Sequence, residues 1–310
     1  DPTDAEAAGQ IWYNTTSGTF KSIVSSAAWS SASPLITAVA TAGTLGIQTA
    51  ALSIGGRPAG GGSTNVTQHY NGSGFSSGGN LNQARSYLAG CGTTTAGLAF
   101  GGWYSPPAGA RNESEEYNGS SWTAGNVMGT ARFGLAGAGT QTSGLAFGGT
   151  PPISSATEEY GGTSWTAGGA MNTARNYLAG FGASQTAAIA AGGQNPAPTN
   201  KAETELYNGT SWSEVNNLNT ARGSGLGGSG TSTSGIVFGG ISSGVAPGTA
   251  TGVTESWDGT SWTTSPASLA TVRYFIGGAG ADSTSAVAMG GRTAPDSLTT
   301  TEEFNVSINT

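Results

Sequence analysis

Gly97-Leu98-Ala99-Phe100-Gly101-Gly102, followed after an irregular stretch by Ser114-Glu115-Glu116-Tyr117-Asn118-Gly119-Ser120-Ser121-Trp122, is one copy of a pattern that recurs along the chain. The Gly-Gly doublets are Gly55-Gly56, Gly101-Gly102, Gly148-Gly149, Gly192-Gly193, Gly239-Gly240 and Gly290-Gly291, spaced by 46, 47, 44, 47 and 51 residues. After each comes an aromatic: Tyr70, Tyr117, Tyr160, Tyr207, Trp257 and Phe304. Five residues beyond the first five of these stands a second aromatic: Phe75, Trp122, Trp165, Trp212 and Trp262. Phe304 has no such partner; the missing member stands at the other end as Trp29, 46 residues ahead of Phe75.

Each unit reads as four short strands, expected in unit two over 87–91, 97–100, 114–117 and 121–123. Asn118-Gly119 reads as a hairpin turn whose two positions tolerate positive φ. It recurs as Asn71-Gly72 and Asn208-Gly209, with Gly161-Gly162 and Asp258-Gly259 in the same place. Four strands repeated six times predict an all-β, six-bladed β-propeller of four-stranded antiparallel blades. The last unit offers three strands after Arg273, and the strand around Trp29 is spare. Pairing them closes the ring and removes two bare sheet edges. An open solenoid would leave Trp29 an orphan and both edges exposed. The expected organisation is an attachment segment over 1–28 and a propeller over 29–310. Small inner-strand segments such as Leu88-Ala89-Gly90-Cys91-Gly92 suit the tapering centre, and the large aromatics suit the outer strands.

The order Gly-Gly, Tyr, short turn, Trp resembles the kelch repeat over residues 29–305. The opening run Gly9-Gln10-Ile11-Trp12-Tyr13-Asn14-Thr15-Thr16-Ser17-Gly18-Thr19-Phe20-Lys21 is similar to phage virion proteins such as tail-fibre or appendage subunits. That resemblance implies an extracellular, virion-borne protein that meets other virion chains through residues 1–28 and recognises a host-surface glycan or protein.

Composition narrows the choices. Only 9% of residues are charged and the net charge is −7. Lys21 and Lys201 are the lysines, and no basic run exists, so a nucleic-acid groove is not expected. No block of acidic residues makes an interaction tail. Cys91 is alone, which excludes an internal disulfide framework and a Cys-based zinc cluster. No run approaches the ~18 apolar residues of a membrane span, so no membrane insertion is expected. The opening Asp1-Pro2-Thr3-Asp4 is not a signal peptide. The 54 glycines are periodic, so they have a structural use and are neither linkers nor phosphate loops.

Catalytic chemistry finds little support. Copper oxidases of the propeller type need a pair of histidines, and His69 is the only histidine. It sits in a strand beside Tyr70 and reads as a substituted repeat position. A sialidase needs an arginine cluster with acid/base carboxylates, but Arg85, Arg132, Arg175, Arg222 and Arg273 all occupy one repeat position. A glycosidase needs two carboxylates across one cleft. The off-repeat candidates Glu113, Glu214, Asp282 and Asp296 have nothing in the sequence to pair them. The expectation is a protein that is not an enzyme, with no cofactor and no metal.

Variation is concentrated in the loops after the doublets, from Arg57 to Asn65, Trp103 to Glu113, Thr150 to Ala156, Gln194 to Ala202, Ile241 to Gly252 and Arg292 to Ser297. In a propeller these emerge on one face, beside the connections between blades. Variable loops on a rigid scaffold are where binding resides. The candidate ligand-binding residues are Trp103, Tyr104, Arg57, Arg111, Asn195, Lys201 and Arg292. Adjacent aromatics at Trp103-Tyr104 cannot both be core, so one should be exposed, suiting a sugar face or a protein hot spot. The competing reading is a loop folded onto its neighbour. A structural subunit of an appendage without receptor role, and a carbohydrate-active enzyme, are the alternatives.

Five units carry an arginine before the innermost strand and a glutamate before the third-strand aromatic. The first unit lacks both, with Val39 and Gln68 instead. Independent surface charges need not vanish together, but a buried pair should, because a lone buried charge costs several kcal/mol. The expected structural ion pairs are Arg85–Glu115, Arg132–Glu158, Arg175–Glu205, Arg222–Glu255 and Arg273–Glu302, with the arginine fork suited to holding each carboxylate by two hydrogen bonds.

Overall fold

The structure is a computed structural model that describes residues 11–14, 16–22, 24–195, 199–244 and 246–309. Six four-stranded antiparallel sheets stand in a ring. Blade two is made of Ala89–Thr93, Ala96–Phe100, Ser114–Tyr117 and Trp122–Ala124, and the others repeat this order. The innermost strands Gly43–Ile47, Ala89–Thr93, Ala136–Thr140, Ala179–Ser184, Gly227–Gly230 and Gly277–Asp282 surround a central channel. The taper demands small residues here. A Cβ on Gly137 would lie 2.7 Å from Phe100 Cζ and 3.2 Å from Gly90 O. Aromatics fill the wider spaces between blades, with the buried Trp212 against Phe147 and the half-buried Trp29 against Phe238.

The sixth blade is closed as expected, but by a longer strand. Val24–Ala32 pairs with Thr301–Asn309, which places Trp29 opposite Phe304. Trp29 Nε1 donates to Thr254 Oγ1 of blade five at 2.9 Å. This is what Trp122, Trp212 and Trp262 do toward Thr67, Thr157 and Thr204 of their preceding blades. The strand begins five residues before Trp29, so residues 24–28 are already paired.

A second set of contacts also joins four of the six blades to the preceding one. Tyr70, Tyr160 and Tyr207 donate their phenols to Glu303, Glu116 and Glu159, and Tyr117 meets His69 at 2.7 Å. The position facing Trp257 is Leu206 and the one facing Phe304 is Ser256. A strong acceptor is present where the next blade brings a hydroxyl and absent where it does not. His69 is thus a substituted repeat position, with burial lowering its pKa.

The turns between third and fourth strands differ from the expectation. Gly119 is at φ 95°, but Asn118 does not have positive φ. Instead Asn118 Oδ1 accepts the N–H groups of Ser120 and Ser121, both at 2.9 Å. Asn71, Asn208 and Asp258 do the same, so the side-chain acceptor selects Asn or Asp there. Unit two also departs at its start: Tyr87 precedes the strand and has φ 55°.

Candidate binding face

Each blade runs its innermost strand away from the face that carries the connections between blades and returns its second strand to it. The Gly-Gly doublets and the loops after them therefore share that face with the repeat arginines. Gly101 and Gly102 have φ 63° and 109°, which turns the chain sharply. Gly102 N then donates to Arg132 O of the next connection at 2.8 Å.

The five arginines are fully buried and all five reach the glutamates anticipated for them. Nη2 to Oε1 distances are 2.7 Å for Arg85–Glu115, 2.9 Å for Arg132–Glu158, 2.8 Å for Arg175–Glu205 and 2.8 Å for Arg222–Glu255. Arg273 pairs with Glu302 through Nη1. Contrary to expectation, the forks are divided. In blade two, Arg85 Nη1 donates to the carbonyls of Gly101 and Glu113, while Glu115 Oε2 accepts the N–H of Asn82. Burial pulls the arginine pKa values down, and the facing glutamates oppose this. Each arginine bonds by its main chain to the preceding blade's loop and by its guanidinium to its own blade. In the first unit, Val39 keeps the main-chain bonds to Leu298 and Gly291. Gln68 holds the main chain of Thr37 through both ends of its amide, at 2.8 and 3.2 Å.

Two residues beyond the arginine position lies a second ring, of Thr41, Tyr87, Gly134, Tyr177, Ser224 and Phe275, all with φ between 51° and 61°. Their main chains, with Gly225, close a circle of hydrogen bonds around the channel mouth at 2.8–3.1 Å. Gly134 fits this conformation without strain, whereas a bulky residue at positive φ costs on the order of 1–3 kcal/mol. Tyr87, Tyr177 and Phe275, from alternate blades, nonetheless meet over the axis with ring centroids 5.4–5.7 Å apart. The neighbours between them are small; a Cβ on Gly134 would lie 2.6 Å from the Tyr177 ring. Burial, then the neighbouring Tyr87, pushes the Tyr177 phenol pKa up.

Beside this trio lies a groove of about 260 Å³. Tyr87, Phe133, Tyr177 and Trp103 supply its apolar wall, and Arg57, Ser86 and Ser105 its polar rim. Phe133 bridges Trp103 and Tyr87, at 4.9 and 5.8 Å between centroids. Ser63 Oγ, on the blade-one loop, donates to Trp103 O at 3.1 Å and so ties the two walls together.

Of the candidate ligand residues, the groove gathers Arg57 and Trp103. Trp103 and Tyr104 are both half-buried, so neither extreme anticipated for them holds. Tyr104 lies under Arg111, 5.0 Å from guanidinium to ring, and Arg111 is 3.9 Å from Glu113. On blade four, Lys201 pairs with Glu203 at 3.0 Å, and Asn195 Oδ1 accepts Thr199 Oγ1 at 2.8 Å. Arg292 stands on blade six at the position equivalent to Arg57 and Trp103, bridged to Tyr274. Tyr87, Phe133, Tyr177, Tyr274 and Phe275 were missed in the sequence. Part of the signal was present, since each lies one or two residues after a repeat arginine, but not that they meet.

The off-repeat carboxylates are apart. Glu214 is exposed on the outer strand of blade four, Asp282 caps the Thr284 N–H in the inner turn of blade six, and Asp296 is exposed in that blade's loop. Among the described residues no three His, Cys, Asp or Glu side chains are grouped where they could hold a metal ion. Cys91 is buried, and burial pushes its thiol pKa up to about 12. Among the described residues no helix is long and apolar enough to cross a membrane.

Fold and site together define a six-bladed β-propeller with an aromatic-walled groove on its loop face. No family model matches the chain, and no curated protein matches it.

Proposed function

We propose that this chain is a non-enzymatic binding propeller of kelch-like type, displayed outside a cell as part of a phage tail fibre or other virion appendage, and that its loop face recognises a host-surface glycan or protein. The observation that carries this reading is the break in six-fold symmetry at the channel mouth. Five blades repeat the same buried ion pair, yet beside blade two Tyr87, Phe133, Trp103 and Tyr177 converge on one half-buried aromatic wall, whereas the matching positions around the rest of the ring bring no four aromatics together. Packing the ring does not require this, since glycine and serine serve at the equivalent sites. Amphipathic aromatics beside hydroxyls and a guanidinium suit recognition of a polar ligand with an apolar face. The virion setting rests on the opening sequence run, and residues 1–28 are assigned to contacts with other chains of the particle.

The test is binding of the purified protein to host cells and to a glycan array. Trp103→Ala should lower capture at least tenfold with the β-sheet circular dichroism unchanged; undiminished capture would discard the loop face as the binding surface. A purely structural appendage subunit is the second reading, favoured by the exposed Ile11, Tyr13 and Phe20 of the hairpin formed by Ile11–Asn14 and Thr19–Ser22. Self-assembly through this hairpin with no surface binding would support it.

A further inference from the structure

We propose that the groove takes an anionic saccharide, one pyranose unit bearing a carboxylate, sulfate or phosphate group, with the ring against Trp103 and Tyr87 and the anion on Arg57. This rests on the binding role of the loop face and specifies its ligand.

The argument begins with a census of positive charge. The chain carries 10 Lys and Arg residues against 17 Asp and Glu. Five arginines are committed to buried glutamates, Arg111 to Glu113 and Lys201 to Glu203. Among the described side chains, Arg57 and Arg292 are the cations with no carboxylate within ion-pair distance. The two are not scattered. Both are the residue after the Gly-Gly doublet, on blades one and six, which are neighbours in the closed ring. Ser297 Oγ of the blade-six loop donates to Arg57 O at 2.9 Å and joins the two loops. Asp296 lies across the same small hairpin from Arg292 without pairing to it. In a chain of net charge −7, the unpaired cations among the described side chains thus stand on neighbouring blades of the face that holds the groove.

Position adds chemistry to charge. Arg57 lines the groove opposite an aromatic wall, and a Cβ on Gly61 would lie 3.5 Å from its Nη2, so the guanidinium rests along a glycine-rich loop that leaves it accessible. A planar fork of donors matches carboxylate, sulfate and phosphate oxygens. Aromatic faces match the C–H faces of a pyranose, and the half-buried Ser105 can exchange hydrogen bonds with its hydroxyls. A volume of about 260 Å³ falls below the ~300–1,000 Å³ of drug-sized sites, which fits one sugar unit of a longer chain.

The experiment uses the full chain and a panel of immobilised oligosaccharides in matched pairs: uronides and sialosides against their carboxyl-reduced forms, and sulfated sugars against their desulfated forms. The expected result is retention of at least one acidic member at least tenfold more tightly than its neutral partner, weakening as salt is raised. Arg57→Gln should bring the acidic member down to the neutral level, whereas Trp103→Ala should weaken both. Which acidic member is held distinguishes carboxylate from sulfate. If neutral members bind as well as acidic ones, or if Arg57→Gln leaves the preference intact, the anionic inference is wrong while the binding role stands. If no saccharide is retained while host cells or a host protein are, the ligand is not a sugar and the inference is again overturned. If nothing on the panel or the host surface is retained, the binding role itself falls.

Discussion

Glu205 and Arg175 are both without solvent contact, so removing either leaves the other charge buried and uncompensated. Deleting one partner of a buried pair costs about 3–5 kcal/mol, because the survivor is left uncompensated, whereas replacing both can be close to neutral. The first unit shows the neutral solution, with Val39 and Gln68 in these places. Arg175→Val alone should therefore lower unfolding free energy by about 3–5 kcal/mol. The double variant Arg175→Val with Glu205→Gln should recover most of it in urea titrations; equal losses for single and double variants would contradict the account. Tyr207 provides a pH-dependent counterpart. Its phenol donates to Glu159 at 2.5 Å, and burial together with that hydrogen bond pushes its pKa up to about 12. A proton held more tightly in the folded state stabilises the fold below the unfolded pKa of about 10. That contribution disappears as pH rises through about 12. Melting temperature should fall across this window in the native chain and fall less steeply in Tyr207→Phe, measured by circular dichroism at matched ionic strength.

The strand Val24–Ala32 is the outer edge of blade six and the means by which the ring closes. Without it, Thr301–Phe304 would present an unpaired edge and Phe238 would lose its Trp29 neighbour. A chain beginning at Ser25 should fold as the full protein does, whereas one beginning at Ser33 should show lower thermal stability and aggregate in size-exclusion chromatography. Equal behaviour of the two would mean that closure adds nothing. This strand was legible in advance because Trp29 keeps the 46-residue step to Phe75, and a repeat with a missing member points to its partner. The ion pairs were legible because two charges vanish together from one unit. The aromatic mouth was not. Tyr87, Tyr177 and Phe275 alternate with Gly134, Ser224 and Thr41, so only the closed ring reveals that three residues widely separated in sequence meet at one axis. The turn chemistry was misjudged for a related reason: Asn-Gly fits more than one turn, and the choice depended on the Asn118 side chain capping Ser120 and Ser121.

On the scale of the molecule, the blade direction separates two poles. The third strand of each blade starts at the loop face and ends at the turn on the opposite face, and in blade six it does not stop there. Ser285–Met289 accompanies it only as far as Asn305, while Val306–Asn309 continues beside Val24–Ala27 as a two-stranded ribbon. At about 3.3 Å per residue, this ribbon extends the blade by roughly 13 Å on the side away from the groove. The hairpin of Ile11–Asn14 and Thr19–Ser22 comes just before it in the chain. Attachment at the ribbon would leave Arg57, Trp103 and the aromatic mouth facing outward, the arrangement a displayed binding module needs. A compact folded domain fused ahead of Ser25 should therefore leave capture of the cell or glycan target unchanged. The same domain inserted through flexible linkers between Gly60 and Gly61, where a Cβ on Gly60 would meet nothing within 4 Å, should abolish capture by covering the groove. Circular dichroism and gel filtration establish that both fusions retain the propeller. Capture blocked by the fusion at the ribbon and preserved by the loop insertion would assign binding to the wrong pole and attachment to the other.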